Sequence, residues 1–117
     1  MNKPVNAKTH GIIDYAFSGI QLLGPSLLSM NKSANRTYKG LGVGFLLVNA
    51  LTKTPVGLKG KLSMKDHQKA DTSFLLALSA LSFASMIRKD KTALFFHLGF
   101  LTTAIAHYVL TDYNSRR

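Results

Sequence analysis

The pattern His-x-x-x-Asp occurs twice, each time two residues after a Lys and each time at the mouth of a long apolar run. The copies are Lys8-Thr9-His10-Gly11-Ile12-Ile13-Asp14 and Lys65-Asp66-His67-Gln68-Lys69-Ala70-Asp71, 57 residues apart in a chain of 117. On a helix, positions i and i+4 share a face, so each His sits over its own Asp. The spacing predicts two copies of one unit, each too short to bury its apolar surface alone.

Charge is distributed to match. Fifteen Lys and Arg against five acids give a net charge of +10. The charges gather at the N-terminus, at 31–39, 53–71 and 88–91, and after 111, leaving 11–30, 40–52, 72–87 and 92–110 almost free of them. Asp14 is the one acid well inside any of these stretches. A soluble surface helix shows a polar face every 3.6 residues or so. The run from Phe74 to Ile87 has no charged face, and Ala93 to Leu110 is apolar except for His97, two Thr and His107. Four such helices in so short a chain cannot all be core. The expectation is therefore an all-α, four-transmembrane-helix bundle built from two tandem helical hairpins. It forms a single integral membrane domain over 1–117, with repeat one at about 8–52 and repeat two at about 65–112.

With four spans both termini share one side with the 53–71 segment. That side carries nine Lys and Arg against six on the other, which predicts cytoplasmic termini in a bacterial inner membrane. His10, Asp14, His67, Asp71, His107 and Asp112 then fall at that same face. The two hairpins have one orientation and are related by an axis along the membrane normal, so their His/Asp pairs face each other if helices one and three touch. Small residues predict tight packing: Gly11, Asp14, Ser18, Gln21 and Pro25 on helix one, Gly40 and Gly44 on helix two, and Ser73, Ala77, Ala80 and Ala84 on helix three. Pro25 should end or bend helix one, and Asn49 is a candidate interhelical hydrogen-bonder.

These features together resemble the small bacterial membrane proteins with duplicated SPW-type repeats. The resemblance covers most of the chain and rests on Lys8-Thr9-His10-Gly11-Ile12-Ile13-Asp14-Tyr15, Gly24-Pro25, Leu51-Thr52, Gly57-Leu58, Met64-Lys65, His67, Asp71 and Leu110-Thr111-Asp112-Tyr113. It implies two repeats of two spans in a membrane, and it implies no activity. The family's Ser-Pro-Trp is replaced by Gly24-Pro25-Ser26 in unit one and Leu81-Ser82-Phe83 in unit two, and the chain has no Trp.

For the His/Asp group the leading reading is a structural, non-catalytic one, with a metal site as the alternative and ion transport as a further one. A divalent transition metal such as Zn, Fe or Mn suits imidazole and carboxylate, with His10, Asp14, His67, Asp71 and His107 as candidate ligands. Proton or ion transport would use Asp14 within the membrane and Ser18 and Gln21 beyond it. A structural, non-catalytic role would have the residues cap helix starts and fix the register of the two units. The absence of Cys removes thiolate chemistry and Cys-type zinc sites. No Gly-x-Ser-x-Gly elbow or phosphate loop is present. A haem between His97 and His107 is disfavoured, because ten positions apart they lie on different faces at different depths. Membrane lipids and a second copy of the chain are the expected partners. Nucleic acid is not, because the basic residues flank apolar runs and do not form one face. Lys59, Lys61, Lys65 and Lys69, interleaved with apolar residues, are candidate contacts to anionic lipid headgroups.

Overall fold

Each long helix begins where a short polar side chain can take up free backbone N–H groups. Asn6 accepts from the Thr9 amide to open α1 (Ala7–Leu27), and Asn31 accepts from Ala34 to open α2 (Lys32–Leu51). Ser63 and Asp66 form a reciprocal capping box at α3 (Met64–Leu81). A single turn, α4 (Ser85–Arg88), precedes Asp90, which caps α5 (Lys91–Leu110) through the Ala93 amide. The computed structural model describes residues 3–115. Among these the secondary structure is helical, with isolated parallel bridges at Val5–Thr111 and Thr52–Leu62.

The third apolar run is not one helix. It ends at Leu81 and restarts as α4, and the Ser82 hydroxyl at the break bonds the Leu78 carbonyl and the His97 ring. Pro25 lies inside α1, which continues to Leu27 before Ser29 turns the chain with a positive φ of 55°.

Corresponding places in the two halves carry corresponding residues. At an offset of 57 stand the caps Asn6 and Ser63, the pairs His10/His67 and Asp14/Asp71, and the buried Met30 and Ile87. From there the offset is 59: the caps Asn31 and Asp90, the buried Tyr38 and His97, and Thr52 and Thr111. Several partners meet directly. The Asn31 amide groups donate to Asp90 Oδ2 at 3.1 Å, and the Tyr38 hydroxyl lies 2.5 Å from His97 Nδ1. The two bridges correspond as well, since Val5 precedes α1 as Leu62 precedes α3.

The core holds Phe17, Tyr38, Phe45, Leu78, Ile87 and Phe100, with Phe17 edge-on to Phe100 at 5.3 Å and Phe45 edge-on to Phe74 at 4.2 Å. The polar-and-small stripe of α1 is buried as expected, from Gly11 to Pro25. Two other packing expectations are corrected. On α2 Gly40 faces open space, whereas Gly44 packs closely as expected, an added Cβ lying 3.2 Å from Phe74, and Gly42 closer still, at 3.0 Å from Leu22. On α3, Ser73, Ala77 and Ala80 are exposed, and Leu78 turns inward instead.

The membrane expectation is met in part. Among the described residues one helix, α5, is long and apolar enough to cross a bilayer. The others fall short for visible reasons. α2 carries Lys32, Arg36 and Lys39 in its first turns, α3 opens through Lys65, Asp66 and Lys69, and α1 holds Lys8, Asp14 and Gln21.

Candidate metal centre

The start of α1 and the start of α3 meet, and the four side chains of the repeated motif converge between them. His10, His67, Asp14 and Asp71 are 1%, 1%, 2% and 8% exposed. His10 Nε2 lies 3.0 Å from His67 Nε2, 3.0 Å from Asp14 Oδ2 and 3.0 Å from Asp71 Oδ2. His67 Nε2 lies 2.8 Å from Asp14 Oδ2 and 3.3 Å from Asp71 Oδ2. One ligand atom from each of the four lies within 4.8 Å of the other three.

Which ring nitrogen carries hydrogen follows from two threonines that sequence reasoning did not assign to the site. The Thr52 hydroxyl donates to the Val48 carbonyl at 2.6 Å, so its oxygen can only accept from His67 Nδ1–H, 2.7 Å away. Thr111 does the same for the other half, donating to the His107 carbonyl at 2.6 Å and accepting from His10 Nδ1–H at 2.7 Å. Each His is thus oriented by the Thr at the C-terminal end of a helix from the opposite half. With both Nδ1 atoms protonated, the neutral rings present bare Nε2 lone pairs to one another and to two carboxylate oxygens. Four acceptors then surround one point with no donor among them, an arrangement that calls for two protons or one divalent cation at the centre.

A second ring of bonds holds the carboxylates. His107 Nε2 donates to Asp14 Oδ1 at 3.0 Å, and its ring stacks on His10 with centroids 4.0 Å apart. The buried Tyr113 hydroxyl donates to Asp71 Oδ2 at 2.7 Å. His107 therefore braces Asp14 and stands outside the four converging ligand atoms, where the sequence had offered it as a further ligand. Tyr113, which the sequence offered only within the closing Leu110-Thr111-Asp112-Tyr113, is part of the site. The Thr and Tyr have a faint signal in the sequence, since Leu51-Thr52 and Leu110-Thr111-Asp112-Tyr113 close the two helices that follow the motifs.

Charge compensation sets the proton affinities. Burial lowers the basicity of His67, and hydrogen bonds to Asp14 and Asp71 outweigh it, raising its pKa from 6.5 to about 9. His10 is raised by the same opposition of burial and the two carboxylates. Burial pushes Asp71 up, but bonds from both His rings hold its carboxyl below the usual range. Two imidazolium ions and two carboxylates sum to zero. A divalent cation with two neutral rings and two carboxylates also sums to zero, so either filling suits a buried site.

The donor set fits a transition metal. Bonds near 2.0–2.1 Å in a tetrahedron place ligand atoms roughly 3.3 Å apart, against the observed 2.8–3.3 Å between each His Nε2 and each Asp Oδ2. The spread of the four ligand atoms, up to 4.8 Å, is wider than a tetrahedron's edge, so an ion would have to draw the group together. Two imidazoles with two carboxylates suit Zn, Fe(II) or Mn, and the lack of thiolates disfavours softer ions.

The remaining candidates lie elsewhere. His97 is fully buried between Tyr38 and Ser82. Asp112 accepts from the Asn114 and Ser115 amides in a turn, and its own N–H donates to the Val5 carbonyl at 2.8 Å. Ser18 and Gln21 bond carbonyls of their own helix, Asp14 O and Phe17 O, and extend no chain of groups from Asp14. Asn49 crosses to α1, donating to the Gly11 carbonyl at 2.8 Å. Lys59, Lys61, Lys65 and Lys69 are exposed on and after the 53–62 loop. Tyr15 ties that loop down by donating to the Val56 carbonyl at 2.8 Å. Comparison with protein families, with curated proteins and with solved structures returns no match for this chain.

Proposed function

We propose that the protein is a small membrane-embedded helical bundle whose two halves are clasped by one divalent transition metal, held by His10, Asp14, His67 and Asp71. The role is structural, because the ligands come as one His/Asp pair from the start of α1 and one from the start of α3 and so join the two halves. The observation that carries the reading is the convergence of four acceptor atoms whose two imidazoles are tautomer-locked by Thr52 and Thr111. A metal-ligating His commonly gives its other N–H to such a partner.

Membrane placement is supported by where the apolar side chains go. Leu27, Phe83 and Phe95 are 81%, 78% and 73% exposed while His10, Gln21 and Asn49 are buried. The apolar window of α5 is only 28% buried, unlike a core helix of a soluble bundle. The long axis of 41 Å is comparable with a bilayer including its headgroups, about 40–45 Å. In this reading the four long helices all cross the bilayer, short spans being completed by Lys and Arg side chains that reach the interface. The Lys/Arg bias puts both termini in the cytoplasm of a bacterial cell, with Lys59, Lys61, Lys65 and Lys69 at the headgroups. The offsets of 57 and 59 support an internal duplication and kinship with the SPW-repeat proteins.

Elemental analysis of the detergent-purified chain tests the proposal. About one transition-metal ion per chain is expected in the wild type and none in His10→Ala/His67→Ala. A wild type that holds no Zn, Fe or Mn after reconstitution refutes it.

A further inference from the structure

Beside the four ligands lies a small, partly open cavity of about 10 Å³ lined by Asp14, Asp71, His107 and Tyr113 together with apolar groups including Phe17 and Ala104. That volume is about what one water-sized group needs. His10 and His67 do not line it, so the space opens on the carboxylate side of the cluster. Resting on the metal reading above, we infer that the ion has a fifth, exchangeable position in this cavity, which accepts water or a neutral diatomic ligand.

The wall chemistry selects the ligand. His107 Nε2–H and the Tyr113 hydroxyl are already committed to Asp14 and Asp71, at 3.0 and 2.7 Å. They leave no strong donor to welcome an anion, and the ion with its two carboxylates carries no net charge to attract one. The rest of the lining is Phe17, Phe45, Leu75 and Ala104 with the ring of Tyr108. A small neutral molecule such as nitric oxide or dioxygen loses little hydration on entering such a space, whereas azide or phosphate loses much. A four-ligand shell with room for a fifth group expands readily in zinc and iron sites.

Nitric oxide with the Fe(II)-loaded, full-length protein in detergent provides the test. Iron is loaded without oxygen and quantified before the gas is added, and the iron–nitrosyl complex is read by its half-integer-spin EPR signal. The expected result is a signal accounting for most of the bound iron, unaffected by excess azide. Ala104→Val narrows the cavity, and there the iron content should hold while the nitrosyl signal is lost. Leu75→Phe, from another wall, should do the same and guards against misfolding of the first variant. Full iron loading with no nitrosyl signal overturns the fifth position and leaves the metal clasp intact. Failure of iron, zinc and manganese to bind overturns the clasp itself, and this inference with it.

Discussion

Replacing Thr52 by Val removes one hydroxyl and almost no volume, which makes it a clean probe of the tautomer lock. In the wild type the Thr52 oxygen accepts from His67 Nδ1–H at 2.7 Å inside a fully buried contact. Valine leaves that N–H without a partner, at a cost of about 1–3 kcal/mol. The ring is then free to rotate or to move its proton to Nε2, and either change withdraws the lone pair aimed at the centre. Loss of such an outer partner weakens metal affinity about 10- to 100-fold in comparable sites. Both figures point to the same scale, since each tenfold step is about 1.4 kcal/mol. The assay is competition for Zn(II) against a chromophoric chelator, run on the full-length protein. Thr111→Val should match it, because Thr111 holds His10 at the same 2.7 Å. Thr102→Val is the control, for its hydroxyl also bonds a carbonyl four residues back, Leu98 O at 2.8 Å, but on an exposed surface. Unchanged affinity in both Thr52→Val and Thr111→Val would refute the argument that these hydroxyls fix the ligating nitrogens.

Other outcomes follow from the same geometry. Removing either motif histidine alone should abolish tight metal binding. It should also lower the stability of the metal-free bundle by about 3–5 kcal/mol, since two buried carboxylates lose a counter-ion; chemical denaturation in detergent reports the latter. The folded-state pKa of His67, about 9, lies above the ordinary 6.5. Protonation therefore stabilises the metal-free fold fully below about pH 6.5, and this contribution disappears as pH rises through about 9. The metal-bound form behaves oppositely: Zn(II) should displace protons from both rings, and its affinity should climb with pH by up to about two log units per pH unit. A pH-independent affinity between 6 and 9 would contradict this (the range is set by the ordinary and raised His67 values). Gly57→Ala drives its new Cβ into the Thr52 carbonyl oxygen, which belongs to the backbone and cannot turn aside. It should destabilise by about 1–3 kcal/mol and weaken metal binding as Thr52 shifts, whereas Gly99→Ala meets open space and should be neutral or better. Finally, alkaline carbonate should leave the protein in the membrane fraction, and its release into the supernatant would count against membrane embedding.

The motif at His10 and His67 carried more of this fold than hydropathy did. An i,i+4 pair on each of two helices in a repeated frame leads directly to two faces that meet, because like units pack about an axis. The helix starts were also legible, since Asn6, Asn31, Ser63 and Asp90 are good cap residues ahead of apolar runs. The break at Ser82 was hidden, because Ser within an apolar run is compatible with helix until its hydroxyl finds His97 across the bundle. Gly42 was overlooked beside Gly40 and Gly44, since spacing alone does not say which glycine of a cluster faces a neighbour. Thr52, Thr111 and Tyr113 escaped for a deeper reason. Their partners lie 15, 101 and 42 residues away, and no local pattern records such pairings.

X-ray absorption at the edge of the bound metal tests the central claim most directly. The account predicts two imidazole rings, seen by their multiple scattering, together with carboxylate oxygens at roughly 2.0–2.2 Å. It also predicts that His67→Ala removes one ring from any residual signal. A spectrum with no imidazole scattering, or a purified chain with no metal edge after reconstitution, would contradict it.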